Sequence, residues 1–511
     1  MDKDARLNRS PALAIERGRK VRFTFDGRPI KAFEGETVAG ALYAAGARIF
    51  SRSSKYHRPR GLFCLAGHCG QCMMRVDGLP NVRTCITPVR DGMRVESQNA
   101  WPSLKFDLAS IADNLDFLIR PGFQYRWFKR QRRLYHWWER FLRQMAGSGT
   151  LPEKLKPGPV RRREASPELV VVGAGPAGLS AAGHAAEAGA PVWLLEKESS
   201  LGGHGRYDPS PVLIPGSSGP VGGPELAAGL VRRVEALGTV RIIKDTAALA
   251  WYDEGLLLAA GPGECFVLKP RGLVIAAGSY DQPMLFGNND LPGIFLGRGL
   301  QRLMHRDGVR PGRRAVVATD HDDGYELAGQ MLEVGVEVAA VVDQRPGGPS
   351  PASGVAGRLA PAGVPLLADA EIKEALGRGR VRAVVVGPMP GRVLTTGRRE
   401  VEISCDVVGI AGARSPADEL IFQRTCRGEY VLASPCHYVR RPPVTPHRRI
   451  EPGLYVAGEA GGSRGAARAY LEGRIAGLAA ALELGFGGEA ERTALETAAA
   501  ALEELESAPG L

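Results

Sequence analysis

The chain has 511 residues, 44% apolar and 24% charged, a balance ordinary for folded globular protein and not for a low-complexity chain. Its length exceeds one compact core and points to two to four domains. The formal net charge of +11 is spread along the chain, with local clusters only at Arg130–Arg133 and Arg161–Arg163, so it reads as solvated faces and phosphate contacts rather than a nucleic-acid surface.

No apolar stretch follows Met1-Asp2-Lys3-Asp4-Ala5-Arg6, and no run of 18 apolar residues occurs anywhere. Neither a secretory signal nor a transmembrane helix is expected, and the expected location is the cytoplasm. The first predicted strand is Val21–Phe25, with an Asp26-Gly27 hairpin turn and a return strand over Pro29–Phe33. A helix is predicted over Glu36–Leu42 with Thr37 as its N-cap.

Then come four of the eight cysteines: Cys64, Cys69, Cys72 and Cys85, spaced C-x4-C-x2-C-x12-C. Three thiolates on one tight loop and a fourth from a following strand is the plant-type [2Fe-2S] pattern, because two bridged irons each need two protein sulfurs. Gly67 and Gly70 are expected to take positive φ and let backbone N–H groups face the sulfurs. The alternatives are four unliganded core thiols or a zinc site. Zinc favours two short C-x2-C units, and only one is present. Hairpin, helix, cluster loop and strand together resemble the β-grasp ferredoxin fold.

Trp101 to Phe141 holds eleven aromatics interleaved with Arg and Lys. It reads as a helical linker that packs the cysteine module onto the rest of the chain or docks a partner subunit. A Pro- and Arg-rich linker from Pro157 to Pro167 follows. Leu169–Val172 is then a buried strand, Gly173-Ala174-Gly175-Pro176-Ala177-Gly178 a glycine-rich turn, and a small-residue helix runs through Ala188. A second strand, Val192–Leu195, ends at Glu196. This is a full dinucleotide-binding βαβ fingerprint. Gly173 makes the tight turn, Gly175 admits a pyrophosphate, Gly178 lets helix and strand pack, and Glu196 is placed to accept ribose hydroxyls. Gly202 and Gly203 are expected to let backbone approach the same cofactor.

Two later strands fit one FAD-type domain: Gly272–Gly278, and Gly453–Glu459 with Gly458 and Glu459 at its end and a helix from about Ala466. Families of this type carry Asp where this chain has Glu459. Between them lies a second βαβ unit, Arg314–Ala318, Asp323–Val334 and Val336–Val342, with Asp343 in the ribose-acid position. Its loop, Thr319–Gly324, carries three carboxylates that would repel a pyrophosphate, so packing or partner docking competes with nucleotide binding there. Cys265, Cys405, Cys426 and Cys436 are single thiols, with Cys436-His437 a weak candidate ligand or nucleophile pair.

Three segments, Lys55–Gly61, Ser97–Asp107 and Gly278–Gly293, resemble the α subunit of heterotetrameric sarcosine oxidase and its relatives in proline dehydrogenase, opine oxidase and hydrogen cyanide synthase. The resemblance runs from about Val21 to the C-terminus. It departs in two ways: the family's folate-binding extension has no counterpart within 511 residues, and the cluster cysteines that sarcosine oxidase α lacks are present. The resemblance implies an α/β chain with two Rossmann-like domains of the FAD/NAD(P)-dependent oxidoreductase type, preceded by a β-grasp [2Fe-2S] domain. Expected boundaries are 1–100 for the ferredoxin-like domain, 101–166 for the aromatic and basic linker, 167–295 and 403–511 for the FAD/NAD-binding domain, and 296–402 for an inserted Rossmann-like domain. Expected cofactors are a [2Fe-2S] cluster and FAD, with NAD or an adenine nucleotide as alternatives at the same site. The implied function is an electron-transferring oxidoreductase subunit acting on CH–NH bonds, with a flavin-containing β subunit that oxidises a small amine or imino acid. The alternative is a self-contained NAD(P)H-dependent FAD/[2Fe-2S] reductase.

Overall fold

A computed structural model describes residues 4–8, 10, 12–115, 122–123, 128, 130–152, 158–392, 399–425, 428–434 and 437–507. The chain divides into two compact units, Met1–Lys156 with Pro283–Gly412, and Pro157–Gln282 with Ala413–Leu511. The fold is α/β, with a β-grasp module and two Rossmann-like sheets.

In the first unit, Lys20–Phe25 and Arg28–Phe33 form the expected hairpin, with Asp26 and Gly27 both at positive φ as its two-residue turn requires. The five-stranded sheet runs Arg28–Phe33, Lys20–Phe25, Arg94–Glu96, Met73–Val76, Leu79–Arg83, with one parallel pairing, between Lys20–Phe25 and Arg94–Glu96. Helix Val38–Ala44 lies buried against it, and Thr37 caps it by accepting from the Gly40 N–H at 3.0 Å. The inserted sheet is all parallel, in the order Ile294–Leu296, Val407–Ala411, Arg314–Thr319, Glu337–Asp343, Leu366–Leu367. Near-continuous Val and Ala runs make such strands, which are covered on both faces. Module and inserted domain share one apolar core. Tyr43 stacks edge-on against Phe295 at 5.9 Å, and its hydroxyl donates to the Pro311 carbonyl at 2.5 Å.

Two expectations are corrected here. The stretch Pro157–Pro167 is not all linker: Arg161–Ala165 is a strand that extends a four-stranded sheet beside Glu264–Leu268. A run of three Arg followed by Glu164 hid it, because an edge strand made of solvent-facing charge lacks an apolar signal. The aromatic segment does form a helix, Arg132–Met145, but none of its residues is buried. Its aromatics stack on one another instead, Trp137 on Phe141 at 6.1 Å and Trp138 on Phe141 at 5.6 Å.

The second unit is built on a six-stranded sheet in the order Val240–Ile243, Val192–Leu195, Leu169–Val172, Gly272–Ile275, Leu454–Val456, Arg449–Glu451. Helix Pro176–Glu187 packs against helix Ala466–Glu483 backbone to backbone. A Cβ on Gly473 or Gly477 would run into the carbonyls of Ala177 and Ala181. His184 is buried in this layer, bonded to the Ser180 carbonyl at 2.8 Å. Burial, helped by the Arg233 charge, lowers its pKa to about 4. The folded state therefore refuses a proton that the unfolded chain accepts. His184 contributes stability that is complete above pH 6.5 and is lost as pH falls toward about 4, on the order of 3 kcal/mol in all. His184→Gln is expected to flatten that slope in urea melts at pH 7 and pH 4.5; an unchanged slope would refute the assignment.

Candidate functional site

The loop Cys64–Cys72 leaves the core at Leu62 and returns into strand Met73–Val76. Cys64, Cys72 and Cys85 are buried and Cys69 is half-buried. Cys85 does not lie on the strand expected for it. Strand Leu79–Arg83 ends first, and Cys85 sits in the 3-10 turn Thr84–Ile86. The four sulfurs form a chain of thiol contacts, Cys69 to Cys64 to Cys85 to Cys72. In that chain the accepting sulfurs are drawn toward thiolate: Cys64 by Cys69 and Cys85, and Cys72 by Cys85. The donors, Cys69 and Cys85, are held as thiols.

Backbone N–H groups point into the same space. Those of Ala66 and Cys69 reach the Cys64 sulfur at 3.5 and 3.4 Å, and those of Gln71 and Cys85 reach Cys69 and Cys72. Gly67 has the expected positive φ of 74°, and Leu65 joins it at 47°. Gly70 does not, and a Cβ there would meet only the flexible end of the Met73 side chain. Among the described residues no three His, Cys, Asp or Glu side chains surround a point suited to one metal ion. Four soft donors in mutual contact, ringed by N–H groups, fit a larger anionic thiolate-held group.

In the second unit, each glycine of the βαβ turn has a distinct surrounding. Gly173 has φ 97°, and a Cβ on it would strike the Ala276 carbonyl. A Cβ on Gly178 would strike the Gly173 carbonyl, so this glycine sets the helix-to-strand distance. Gly175 caps helix Pro176–Glu187, with Pro176 and Ala177 in its first turn, and nothing of the protein lies within 4 Å of where its Cβ would be. Gly203 closes against it, since a Cβ there would come 2.8 Å from Gly175 Cα. Gly202, at φ 105°, donates its N–H to the Ala174 carbonyl at 2.8 Å.

Glu196 is buried at the end of its strand and accepts from the N–H groups of Ala174 at 2.7 Å and Glu198 at 2.9 Å; burial pushes its carboxyl above the ordinary range. Gly278 has φ 80° with open space beside it. Glu459 accepts from Ser279 Oγ and from Arg414 Nη1, each at 2.7 Å. Sequence reasoning missed Glu472: fully buried, it accepts the Gly458 N–H at 2.7 Å and faces Arg448 at 3.0 Å. A lone Glu in an Ala-rich helix carries no pattern by which to single it out.

In the inserted domain the ribose-acid position is already occupied by the chain. Asp343 is buried and accepts from Tyr325 Oη at 2.8 Å and from Arg345 Nη2 at 2.8 Å, and Arg345 also reaches Asp322 at 2.7 Å. His321 lies between Asp320 and Asp323.

Residues 18–100 match the family model of a 2Fe-2S iron-sulfur cluster binding domain, and residues 168–214 that of an FAD dependent oxidoreductase. The chain is 30% identical over 501 residues to sarcosine oxidase subunit alpha of Rhizobium meliloti (strain 1021), an alignment covering 92% of this chain and 47% of that one. Over nearly its whole length the chain is a homologue of sarcosine oxidase α subunits. It spans about half the length of the sarcosine oxidase α subunits it matches. A stretch of the chain is 42% identical over 74 residues to the HcnA subunit of hydrogen cyanide synthase from Pseudomonas aeruginosa, 14% of this chain and 70% of that one. The solved L-proline dehydrogenase of P. horikoshii shares the fold, with a TM-score of 0.63 at 22% identity over 96% of this chain and 78% of that one. This relative of sarcosine oxidase α subunits thus joins a 2Fe-2S cluster binding domain to a segment of the FAD dependent oxidoreductase type.

Parts of its three family-like segments meet in the first unit. His57 bonds Asp107 Oδ2 at 2.7 Å, Arg58 pairs with Asp290 at 3.0 Å, and Gly61 packs so closely on Pro292 that a Cβ would lie 2.9 Å from its Cα. Outside the cluster loop, Cys405 is a buried thiol whose pKa burial pushes up to about 12, and Cys265 is half-buried on a strand. Cys426 and Cys436, and with them the Cys436–His437 pair, lie outside the described residues. No helix among the described residues is long and apolar enough to cross a membrane.

Proposed function

We propose that this chain is the electron-transferring subunit of a complex that oxidises an amine or imino acid at its C–N bond. The observation that carries the reading is the pairing, on one chain, of four contacting thiols ringed by N–H donors with a glycine turn left open at Gly175. A flavin exchanges two electrons and a [2Fe-2S] cluster one, so together they convert hydride chemistry into single-electron transfer. Cys64, Cys69, Cys72 and Cys85 are the thiolate ligands in this proposal, and the N–H groups of Ala66, Cys69, Gln71 and Cys85 offset their charge. Gly173, Gly175 and Gly178, with Pro176 and Ala177, form the phosphate cradle at a helix N-terminus. Gly202 and Gly203 close the cradle, Glu196 faces the ribose, and Gly278, Gly458 and Glu459 line the distal end of FAD. A separate flavoprotein subunit holds the substrate, and thiolate ligation suits a reducing cytoplasm.

The self-contained NAD(P)H reductase is less well supported, because Asp343 is committed to Tyr325 and Arg345. Anaerobic purification with iron, sulfide and flavin analysis tests the cofactors. Turnover of sarcosine, proline or an opine by the chain alone would refute the subunit reading; fast flavin bleaching by NADH would favour the reductase.

The partner surface in this reading is helix Arg132–Met145. Leu134, Trp137 and Phe141 form one stripe on it and are 45%, 61% and 42% exposed, too open for a chain that acts alone. Arg133 and Arg140 lie along one side of the stripe on the helical wheel and select an acidic rim on the partner. Trp137→Glu is expected to leave iron and flavin content unchanged while weakening recovery of the flavoprotein subunit at least tenfold. Undiminished recovery would remove the helix from the interface.

A further inference from the structure

Arg306 belongs to none of the motifs read from the sequence. It ends the helical stretch formed by Gly297–Gln301 and the π-turn Arg302–Arg306 of the inserted domain. Its Nη1 donates to the Leu65 carbonyl at 2.9 Å and its Nη2 to the Cys85 carbonyl at 3.0 Å. Leu65 follows the first cysteine of the three-cysteine loop, and Cys85 is the fourth cysteine. One planar guanidinium thus spans the two separate backbone segments that a binuclear cluster requires to be held together. The same helical stretch touches the loop at its start, where a Cβ on Gly299 would collide with the Phe63 carbonyl and lie 3.2 Å from the carbonyl carbon of Cys64. Asp307, buried, pairs with Arg306 through Nη2 at 2.9 Å and Nε at 3.2 Å, and is met by Thr37 Oγ1 at 3.3 Å.

We propose that Arg306 is a positioning residue for the [2Fe-2S] cluster: it staples the three-cysteine loop to the fourth cysteine, and its charge raises the cluster's reduction potential. This rests on the four-thiol reading above. It gives the inserted Rossmann-like domain a task, as the wall of the cluster loop, that needs no nucleotide.

The sign follows from charge. Reduction adds one electron. Removing Arg306 takes away a nearby positive charge and leaves the Asp307 carboxylate uncompensated, and both disfavour that electron. Removing the Asp307 charge does the opposite. A purely structural role would loosen the loop in both variants and would not give opposite signs.

The experiment is an EPR-monitored redox titration of the full chain, with iron and acid-labile sulfide measured on the same samples. Arg306→Gln is expected to keep the cluster and shift its oxidised-to-reduced balance about tenfold toward oxidised, about 59 mV for a one-electron couple. Asp307→Asn is expected to shift it the other way. Arg306→Lys, which keeps charge but not the fork, is expected to stay near the wild-type potential while losing cluster faster on dilution. A wild-type potential in Arg306→Gln with full iron content, or shifts of the same sign in Arg306→Gln and Asp307→Asn, overturns the proposal. Where Arg306→Gln holds no cluster, Asp307→Asn alone decides: no positive shift overturns it. Wild-type protein without iron and sulfide would instead sink the four-thiol reading.

Discussion

Cys72→Ser is expected to empty the first unit of iron and acid-labile sulfide. Cys72 is 2% exposed, its sulfur receives the Cys85 N–H, and its own carbonyl accepts from Thr84 Oγ1 at 2.7 Å. The position is thus fixed from both sides. A serine hydroxyl ionises far less readily than a thiol and is a hard donor where iron–sulfur chemistry needs a soft one. Because cluster binding is coupled to folding of its loop, the loss should carry a stability cost as well as a spectral one. An unsatisfied buried hydroxyl would add on the order of 1–3 kcal/mol. Cys405→Ser is the control: that thiol is buried and pushed up to about 12 among apolar neighbours, so its replacement should cost stability but leave iron content intact. Iron and sulfide assays with a visible spectrum on both variants decide. Full iron and sulfide in Cys72→Ser would remove it from the ligand set.

What was legible in the sequence, and what was not, divides along physical lines. The β-grasp hairpin, the Thr37 cap, the βαβ turn and the helix beginning at Ala466 all rest on local rules: alternation, capping and positive φ at glycine. Each is where the sequence places it. Strand Arg161–Ala165 was hidden because four charged residues in a row leave no apolar face to read. Gly70 was misread because a glycine in a tight loop need not take positive φ, and sequence alone does not say which glycine of the loop does. Arg306 and Glu472 were invisible for a third reason. Each acts on backbone groups, Leu65 and Cys85 far away in the chain for Arg306 and Gly458 in the preceding turn for Glu472, and backbone acceptors and donors leave no complementary residue to search for. The resemblance segments were legible as words but not as a joint. Only the fold shows that Lys55–Gly61, Asp107 and Asp290–Pro292 meet.

Gly175→Ala and Gly178→Ala, changes of one methyl group three residues apart, are expected to separate nucleotide binding from folding. Gly175 has φ −76° and ψ −176°, a conformation alanine adopts without strain, and its added methyl would meet no protein atom within 4 Å. Alanine is a weaker N-cap than glycine, so a cost of up to about 1 kcal/mol is expected and no more. The only occupant that methyl can hinder is a ligand lying against the turn, so flavin content should fall at least tenfold in a protein that melts almost as before. Gly178 is the opposite case. Its methyl would be driven into the Gly173 carbonyl, so strand Leu169–Val172 and helix Pro176–Glu187 must move apart, with an overpacking cost of about 1–3 kcal/mol. Both flavin and melting temperature should drop. Extracted flavin per chain and a thermal melt on each variant give the comparison, with 260 nm absorbance of the extract reporting NAD or an adenine nucleotide if either is the occupant. Wild-type nucleotide content in Gly175→Ala would move the pyrophosphate away from this turn and leave the glycines with packing as their whole purpose.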